Sequence, residues 1–290
     1  MNAEHGQRAE AARPNGIVTL LTDFGTTDGY VAAMKGALLT VNPCATLVDV
    51  THHIPSQDTT EAGFQLATVW SAFPTGTCHV IVVDPGVGSH RRAVAVEAGG
   101  QFFIAPDNGL LTLVAGVAPP SRAVVLDRQQ WFRVEVSSTF HGRDVFAPVA
   151  GHLSSGRVDF SELGSAIEPD TLQRLRWSPV LDRPGHAQAP VVSIDRFGNC
   201  RTLLTRRQLP GDPARVFVHC GGVSVRGVHR TYSDVPLGHT LALFGSHGGL
   251  ELAVRGGSAA ASWDIKRGDD VIVMTDGAGR GDRVEVAGYR

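Results

Sequence analysis

Three short segments place a carboxylate where a β-rich run of the chain stops: Thr22-Asp23-Phe24-Gly25-Thr26-Thr27-Asp28, Asp84-Pro85-Gly86-Val87-Gly88 and Ala105-Pro106-Asp107-Asn108-Gly109. In α/β sheets the loops at the carboxyl ends of parallel strands line the ligand crevice, so these loops are where chemistry is expected. Carboxylates grouped near glycines can bind a divalent ion, and Asp23, Asp28, Asp107 and Asn108 would suit a metal-dependent nucleotidase. A cap or a turn is the plainer role, because Asp and Asn side chains accept backbone N–H bonds at such positions. Taken singly, Asp28 and Asp107 favour that plainer role. The Pro-Gly-Val-Gly run after Asp84 lacks the third glycine of a dinucleotide fingerprint, so no dinucleotide site is expected. His52 and His53 are adjacent, and neighbours on a strand point to opposite faces, which argues against a shared metal ion. No metal-ligand set is expected.

The elements that must hold these loops follow from periodicity. Ile17–Leu21 is a short β-rich run, and the segment from Asp28 to Leu39 then has helical spacing through Tyr30, Val31, Met34 and Leu38. The pattern repeats with Thr46–Val50 as strand, Thr59–Phe73 as helix and His79–Val83 as strand, punctuated by Pro and Gly. Such alternation implies a largely parallel sheet covered by helices. Beyond Arg91 the runs Ala93–Ala98, Gln101–Ala105, Ala123–Asp127 and Trp131–Val136 read as short strands of a mixed sheet, followed by a helix over Phe146–Leu153. The stretch from Pro169 to Pro190 carries four prolines and little hydrophobic periodicity. It reads as a linker. After it, Val191–Ile194, Arg215–Val218, Thr240–Phe244, Asp270–Met274 and Arg283–Val286 are β-type runs that predict a small barrel or sandwich.

The fold class expected is therefore α/β, with a mixed, largely parallel N-terminal sheet flanked by helices and a smaller C-terminal β-barrel-like domain. A chain of 290 residues exceeds what most single cores sustain, which agrees with two units. The boundaries predicted are a polar tail over 1–15, an α/β domain over 16–168, a linker over 169–190 and a β domain over 191–290. A net charge of −2 carries no basic stripe of the kind that phosphate backbones require, so nucleic acid is not an expected partner. Cys44, Cys78, Cys200 and Cys220 have no C-x-x-C spacing, which points away from a zinc knuckle and toward a reducing compartment. With no apolar core in the first fifteen residues and no run of eighteen apolar residues, the cytoplasm is the expected location and no membrane is an expected partner.

Six ordered segments carry a resemblance: LLTDFGTTDGYVAAMKG, VDPGVGSHRRAVAV, APDNGLLT, STFHGRDVFAPVAGHL, SIDRFGNCRTLL and FGSHGGLELAVRGGSAA. Together they resemble the S-adenosylmethionine hydroxide adenosyltransferases, the adenosine-forming SAM hydrolases related to the SAM-dependent fluorinases and chlorinases. The resemblance runs from about Gly16 to the C-terminus. It implies a homotrimer whose active sites lie between the N-terminal domain of one subunit and the C-terminal domain of the next.

Carried over residue by residue, it implies a catalytic set of Asp84, Arg91 and His141. The substrate set it implies is Asp23 on the ribose diol, Asp195 and Ser246 on the methionine amino and carboxylate groups, Asn199 in the same polar wall, and Asn108. In the halogenases a tyrosine stands at the position of Asp84, and Gly142 sits where the fluorinase has a halide-contacting serine. A carboxylate within a few ångströms would repel a halide in a poorly screened pocket, so water is the nucleophile expected here. Asp84, Arg91 and His141 can orient that water at C5′ and stabilise its developing hydroxide character. The sulfonium leaves as neutral methionine, and neither a metal nor another cofactor is called for. Two departures stand out: Ser56-Gln57, where the family usually carries an aromatic, and His247, where the fluorinase has arginine. A SAM-dependent chlorinase and a non-catalytic adenosine or SAM binder are the remaining alternatives.

Overall fold

The structure, a computed structural model, describes residues 12–176 and 181–275. The expected strand at Arg283–Val286 and the first eleven residues of the expected tail lie outside the described residues. The chain divides into two compact units between Leu175 and Arg176.

The first unit is built on β1 (Ile17–Thr22), α1 (Tyr30–Val41), β2 (Thr46–Thr51), α2 (Thr59–Val69), β3 (Cys78–Val82), β4 (Ala93–Ala98), β5 (Gln101–Pro106), α3 (Thr112–Val117), β6 (Pro120–Val125), α4 (Ala147–Ser154) and β7 (Ser165–Ile167). Its seven strands run in the order β2-β1-β3-β5-β4-β6-β7. β2, β1, β3 and β5 pair in parallel, and β5, β4, β6 and β7 pair antiparallel. The buried strands have period-two side chains that feed two cores. Val18, Leu20, Val80, Val82 and Ile104 pack with Met34 and Leu38 of α1 and with Val149 and Leu153 of α4. Leu21, Ile81, Val83, Phe103 and Ala105 pack with Leu66 of α2 and Val114 of α3. Helices on both faces explain why β3 and β5 are buried along their whole length.

Three details differ from expectation. Ala12 to Asn15 belong to the fold: the Asn15 side chain donates to the Thr75 carbonyl at 3.0 Å, and the Ala12 amide to Glu97 at 3.4 Å. Trp131–Val136 is not a strand, because Gln129–Trp131 forms a 3-10 turn and Val134 stands fully exposed beside it. The helix expected to start at Phe146 starts at Ala147, preceded by a five-residue π-helical turn over Gly142–Phe146.

The second unit contains β8 (Leu181–Arg183), β9 (His186–Ile194), β10 (Cys200–Thr205), β11 (Val216–Cys220), β12 (Val223–Arg226), β13 (Thr240–Phe244), β14 (Gly249–Val254), α5 (Ala259–Trp263) and β15 (Asp270–Thr275). All its strand pairs are antiparallel, in the order β12-β11-β15-β9-β10-β14-β13 with β8 against β9. His229, just past β12, bridges to Leu243 of β13, so the sheet nearly closes into a barrel. β9 takes in residues 186–190 of the expected linker, because Ala187, Ala189 and Val191 alternate into the barrel core. Among the described residues no helix is long and apolar enough to cross a membrane.

Candidate active site

The loops after β1, β3 and β5 are neighbours because those three strands are adjacent in the sheet. The loop after β3 passes over the end of β5 to reach β4, and its turns return Arg91 to Asp84. The Val87 amide donates to the Asp84 carbonyl at 3.2 Å, and the Ser89 amide to the Gly86 carbonyl at 3.1 Å. Gly88 has φ +77°, and a Cβ there would lie 2.6 Å from the Ser138 carbonyl oxygen. Only glycine permits both that backbone and that approach.

Arg91 Nε donates to both carboxylate oxygens of Asp84 at 2.9 Å, and its Nη2 donates to Oδ2 and to His141 Nδ1, the latter at 2.9 Å. The two charged side chains are nearly buried, 5% exposed for Asp84 and 11% for Arg91. The Arg91 guanidinium also lies 5.3 Å from the centre of the Phe146 ring. His141 opens the π-helical turn, so the backbone that follows it aims the ring at Arg91. Because a guanidinium only donates, Nδ1 must be the acceptor, and neutral His141 carries its proton on Nε2. Burial lowers the His141 pKa, the Arg91 charge lowers it further, and Asp84 and Asp144 oppose the shift. Asp84, Arg91 and His141 therefore form one connected constellation.

Arg92, next in sequence, goes elsewhere: it pairs with Asp107 and donates to the Thr171 carbonyl. Asp107 also accepts the Gln173 amide at 2.8 Å, a long-range structural tie rather than the local cap or turn favoured for it. Asn108 donates to the Val83 carbonyl at 2.9 Å, tying the end of β5 to the residue before Asp84. Asp23 Oδ2 accepts the Gln57 amide at 2.7 Å, and Gln57 is held at φ +63°. A Cβ at Gly142 would lie 3.2 Å from Phe24 and 3.4 Å from Phe140, so a side chain there would press on both rings.

In the second unit, Asp195 closes the turn between β9 and β10. Its Oδ1 accepts the amides of Phe197 and Asn199, each at 2.9 Å, and its Oδ2 accepts the Asn199 side chain at 3.0 Å. Ser246 is exposed at the turn between β13 and β14. His247 does not project beside it. Its ring is 6% exposed and lies against the Gly245 and Gly249 backbone, with Nδ1 3.8 Å from Glu251. Burial raises the Glu251 pKa although Tyr232 donates a hydrogen bond to it, and burial lowers that of His247.

Residues 18–164 match the model of the SAM hydroxide adenosyltransferase N-terminal domain, and residues 189–272 match that of the C-terminal domain. The chain belongs to the SAM hydroxide adenosyltransferase family. It is similar to the (R)-S-adenosyl-L-methionine hydrolase of Salinispora arenicola, 39% identical over 261 residues that cover 88% of this chain and 97% of that protein. The fluorinase of Actinoplanes sp. is more distant, 27% identical over 294 residues covering 90% and 98%. Among solved structures, an uncharacterized conserved protein from Thermotoga maritima matches with a TM-score of 0.83 and 31% identity, covering 89% of this chain and 99% of that one.

Within this member of the family, two buried polar residues near the site escaped sequence reasoning. Asp144, fully buried, takes Arg133, Arg143 and the Ser137 amide at 2.9 Å, and so pins the segment leading to His141. His52 lies between Asp49 and Thr22 beside the Asp23 loop. The Asp in HGRD was a signal for the first. The His-His pair drew notice to the second only as a metal question, which strand geometry argued against, and no role in holding the Asp23 loop was read from it.

Proposed function

We propose that this protein hydrolyses S-adenosyl-L-methionine to adenosine and L-methionine, by in-line attack of water on C5′. The observation that supports this most is the Asp84–Arg91–His141 constellation, a carboxylate and an imidazole joined through one guanidinium. The name of the Salinispora relative extends the proposal to the R epimer at sulfur. Water forms the O–C5′ bond as the C5′–S bond breaks, and the sulfur keeps the electron pair and leaves as a neutral thioether. His141, with its proton on Nε2, acts as a donor, so Asp84 is the group placed to accept the proton of the attacking water. The constellation serves positioning and charge stabilisation, and no acid is needed for the leaving group.

The ribose diol falls to Asp23. Asn108, Asp195, Asn199 and Ser246 complete the substrate set, and the buried His247 supports its turn without reaching the methionine carboxylate. A cytoplasmic homotrimer, with the second-unit residues supplied to each site by a neighbouring subunit, completes the reading. Asp84 disfavours a halogenase, since a carboxylate repels a halide nucleophile. A nucleotidase is disfavoured because Asp107 is already engaged by Arg92 and the Gln173 amide. The deciding experiment incubates the purified protein with SAM in oxygen-18 water. Adenosine labelled at its 5′ oxygen, together with methionine, is the expected product pair, and unchanged SAM would refute the proposal.

A further inference from the structure

His52 is buried, in a chain of contacts that starts on the protein surface and ends at the backbone of the Asp23 loop. Lys35 of α1 donates to Asp49 Oδ2 at 2.6 Å. His52 Nε2 lies 3.0 Å from Asp49 Oδ1, and His52 Nδ1 lies 2.9 Å from the Thr22 hydroxyl. That hydroxyl accepts the Phe24 amide at 3.2 Å. The Nε2 contact is a close approach to the carboxylate without hydrogen-bond alignment, whereas the Nδ1 contact with Thr22 is a hydrogen bond. With the imidazole proton on Nε2, facing Asp49, Nδ1 accepts from the Thr22 hydroxyl while that oxygen takes the Phe24 N–H. The backbone repeats the link, with the Gly25 amide donating to the His52 carbonyl at 2.7 Å and the Ile54 amide to the Thr22 carbonyl at 3.4 Å.

Asp23 lies between Thr22 and Phe24, the two residues this chain of contacts holds, and the segment that carries His52 continues to Gln57, whose amide meets Asp23 Oδ2. We infer that His52 is a positioning residue for substrate binding: through Thr22 it fixes the Asp23 carboxylate in the orientation that receives the ribose diol. The inference rests on the ribose role of Asp23 proposed above. Without His52, the loop keeps its backbone links and loses the side-chain restraint on the two residues that flank Asp23. Binding of the ribose then weakens, while the Asp84–Arg91–His141 constellation, on other loops, is untouched.

The test uses the full chain with His52→Leu, Thr22→Val and Thr22→Ser, measuring SAM turnover, adenosine affinity by calorimetry and thermal midpoint. A uniform binding contact predicts KM for SAM raised about tenfold with kcat within about threefold for His52→Leu and Thr22→Val, and near-parental values for Thr22→Ser, which keeps the hydroxyl. In an Asp23→Ala background, His52→Leu should add little further rise in KM. Equal KM for Thr22→Val and Thr22→Ser, a loss confined to kcat, or full additivity with Asp23→Ala would each overturn the inference. If His52→Leu does not fold, the Thr22 pair decides alone. A parent protein that binds adenosine without cleaving SAM would refute the hydrolase reading only, and the adenosine affinities of the variants would still decide the role of His52. A parent that neither cleaves SAM nor binds adenosine would overturn both.

Discussion

Replacing Asp84 with asparagine keeps the shape of the side chain and removes its charge. Arg91 donates three hydrogen bonds to this carboxylate, and both side chains are almost out of water. Removing one partner of a buried ion pair commonly costs about 3–5 kcal/mol. The Asn carbonyl oxygen can still accept one Arg91 N–H, and His141 and Phe146 still hold the guanidinium, so the lower end, about 3 kcal/mol, is expected. At about 2–4 °C per kcal/mol for a unit of this size, the thermal midpoint should fall by roughly 6–12 °C. Catalysis should fall further. Loss of the proton acceptor is worth about 10²–10⁴-fold, or roughly 3–5 kcal/mol of barrier. The assay is adenosine release at saturating SAM, run well below the variant's midpoint so that lost activity is not lost fold. Asp84→Tyr belongs beside it, with and without high chloride. A single substitution removes the proton acceptor without building a halide site, so the adenosine lost should exceed any chlorinated nucleoside gained. An Asn variant that keeps kcat within about threefold of the parent would show that Asp84 is a turn residue and that the mechanism is wrong.

The neutral form of His141 is the one that accepts from Arg91, and its pKa lies below the usual imidazole value because burial and Arg91 outweigh Asp84 and Asp144. Activity should therefore hold at neutral pH and decline only as pH falls below about 6.5, and an acid limb in kcat/KM centred above that value would contradict the tautomer assigned here. His79 is buried between Thr19 and Gln101, and burial pushes its pKa down to about 4. Its neutral form contributes stability that is complete above about 6.5 and lost toward pH 4, about 3 kcal/mol in all. Denaturant unfolding across that range should show the parent losing this much more stability than His79→Gln, and parallel curves would rule the contribution out. Excess EDTA should leave SAM cleavage unchanged, and activity that disappears with chelator and returns with a divalent ion would restore a metal-dependent reading.

Much of the first unit was legible because β1, β3 and β5 are buried along almost their whole length and α1 and α2 bury one side. The runs at Ile17–Leu21 and Thr46–Val50 and the helical spacing around Met34 and Leu38 coincide with β1, β2 and α1 to within a few residues. Trp131–Val136 misled because β-rich composition does not supply a partner strand. There the Arg133 amide bonds to the Asp144 carbonyl, the Ser137 amide to the Asp144 carboxylate, and Val134 and Val136 face solvent. In the second unit, strands β10, β12 and β14 were not read as strands: β12 is only four residues long, and β10 and β14 flank tight Gly-rich turns that carry the motifs instead. Within the site, the pairing of Asp84 with Arg91 was visible as a spacing of seven residues. The link to His141 was visible only through family resemblance, since nothing local connects residues fifty apart. The contact between His52 and Thr22 could not be read at all, because it depends on the register of β1 against β2.

The π-helical turn over Gly142–Phe146 amounts to one residue more than an α-helical path would use. Each residue of an α-helix turns the chain by about 100°, so the extra one sets the rotation between everything before it and everything after it. After it, α4 has no freedom to rotate, because Ala147, Val149, Ala150 and Leu153 are all sunk in one core. Before it, His141 must meet Arg91. The two demands are out of phase in a regular helix, and the turn is the phase correction. Chain length is thus a determinant of this site in the same sense as residue identity. Deleting any one residue between Gly142 and Phe146 would swing the imidazole about a quarter of a turn away from the guanidinium while every catalytic side chain was still present in the sequence.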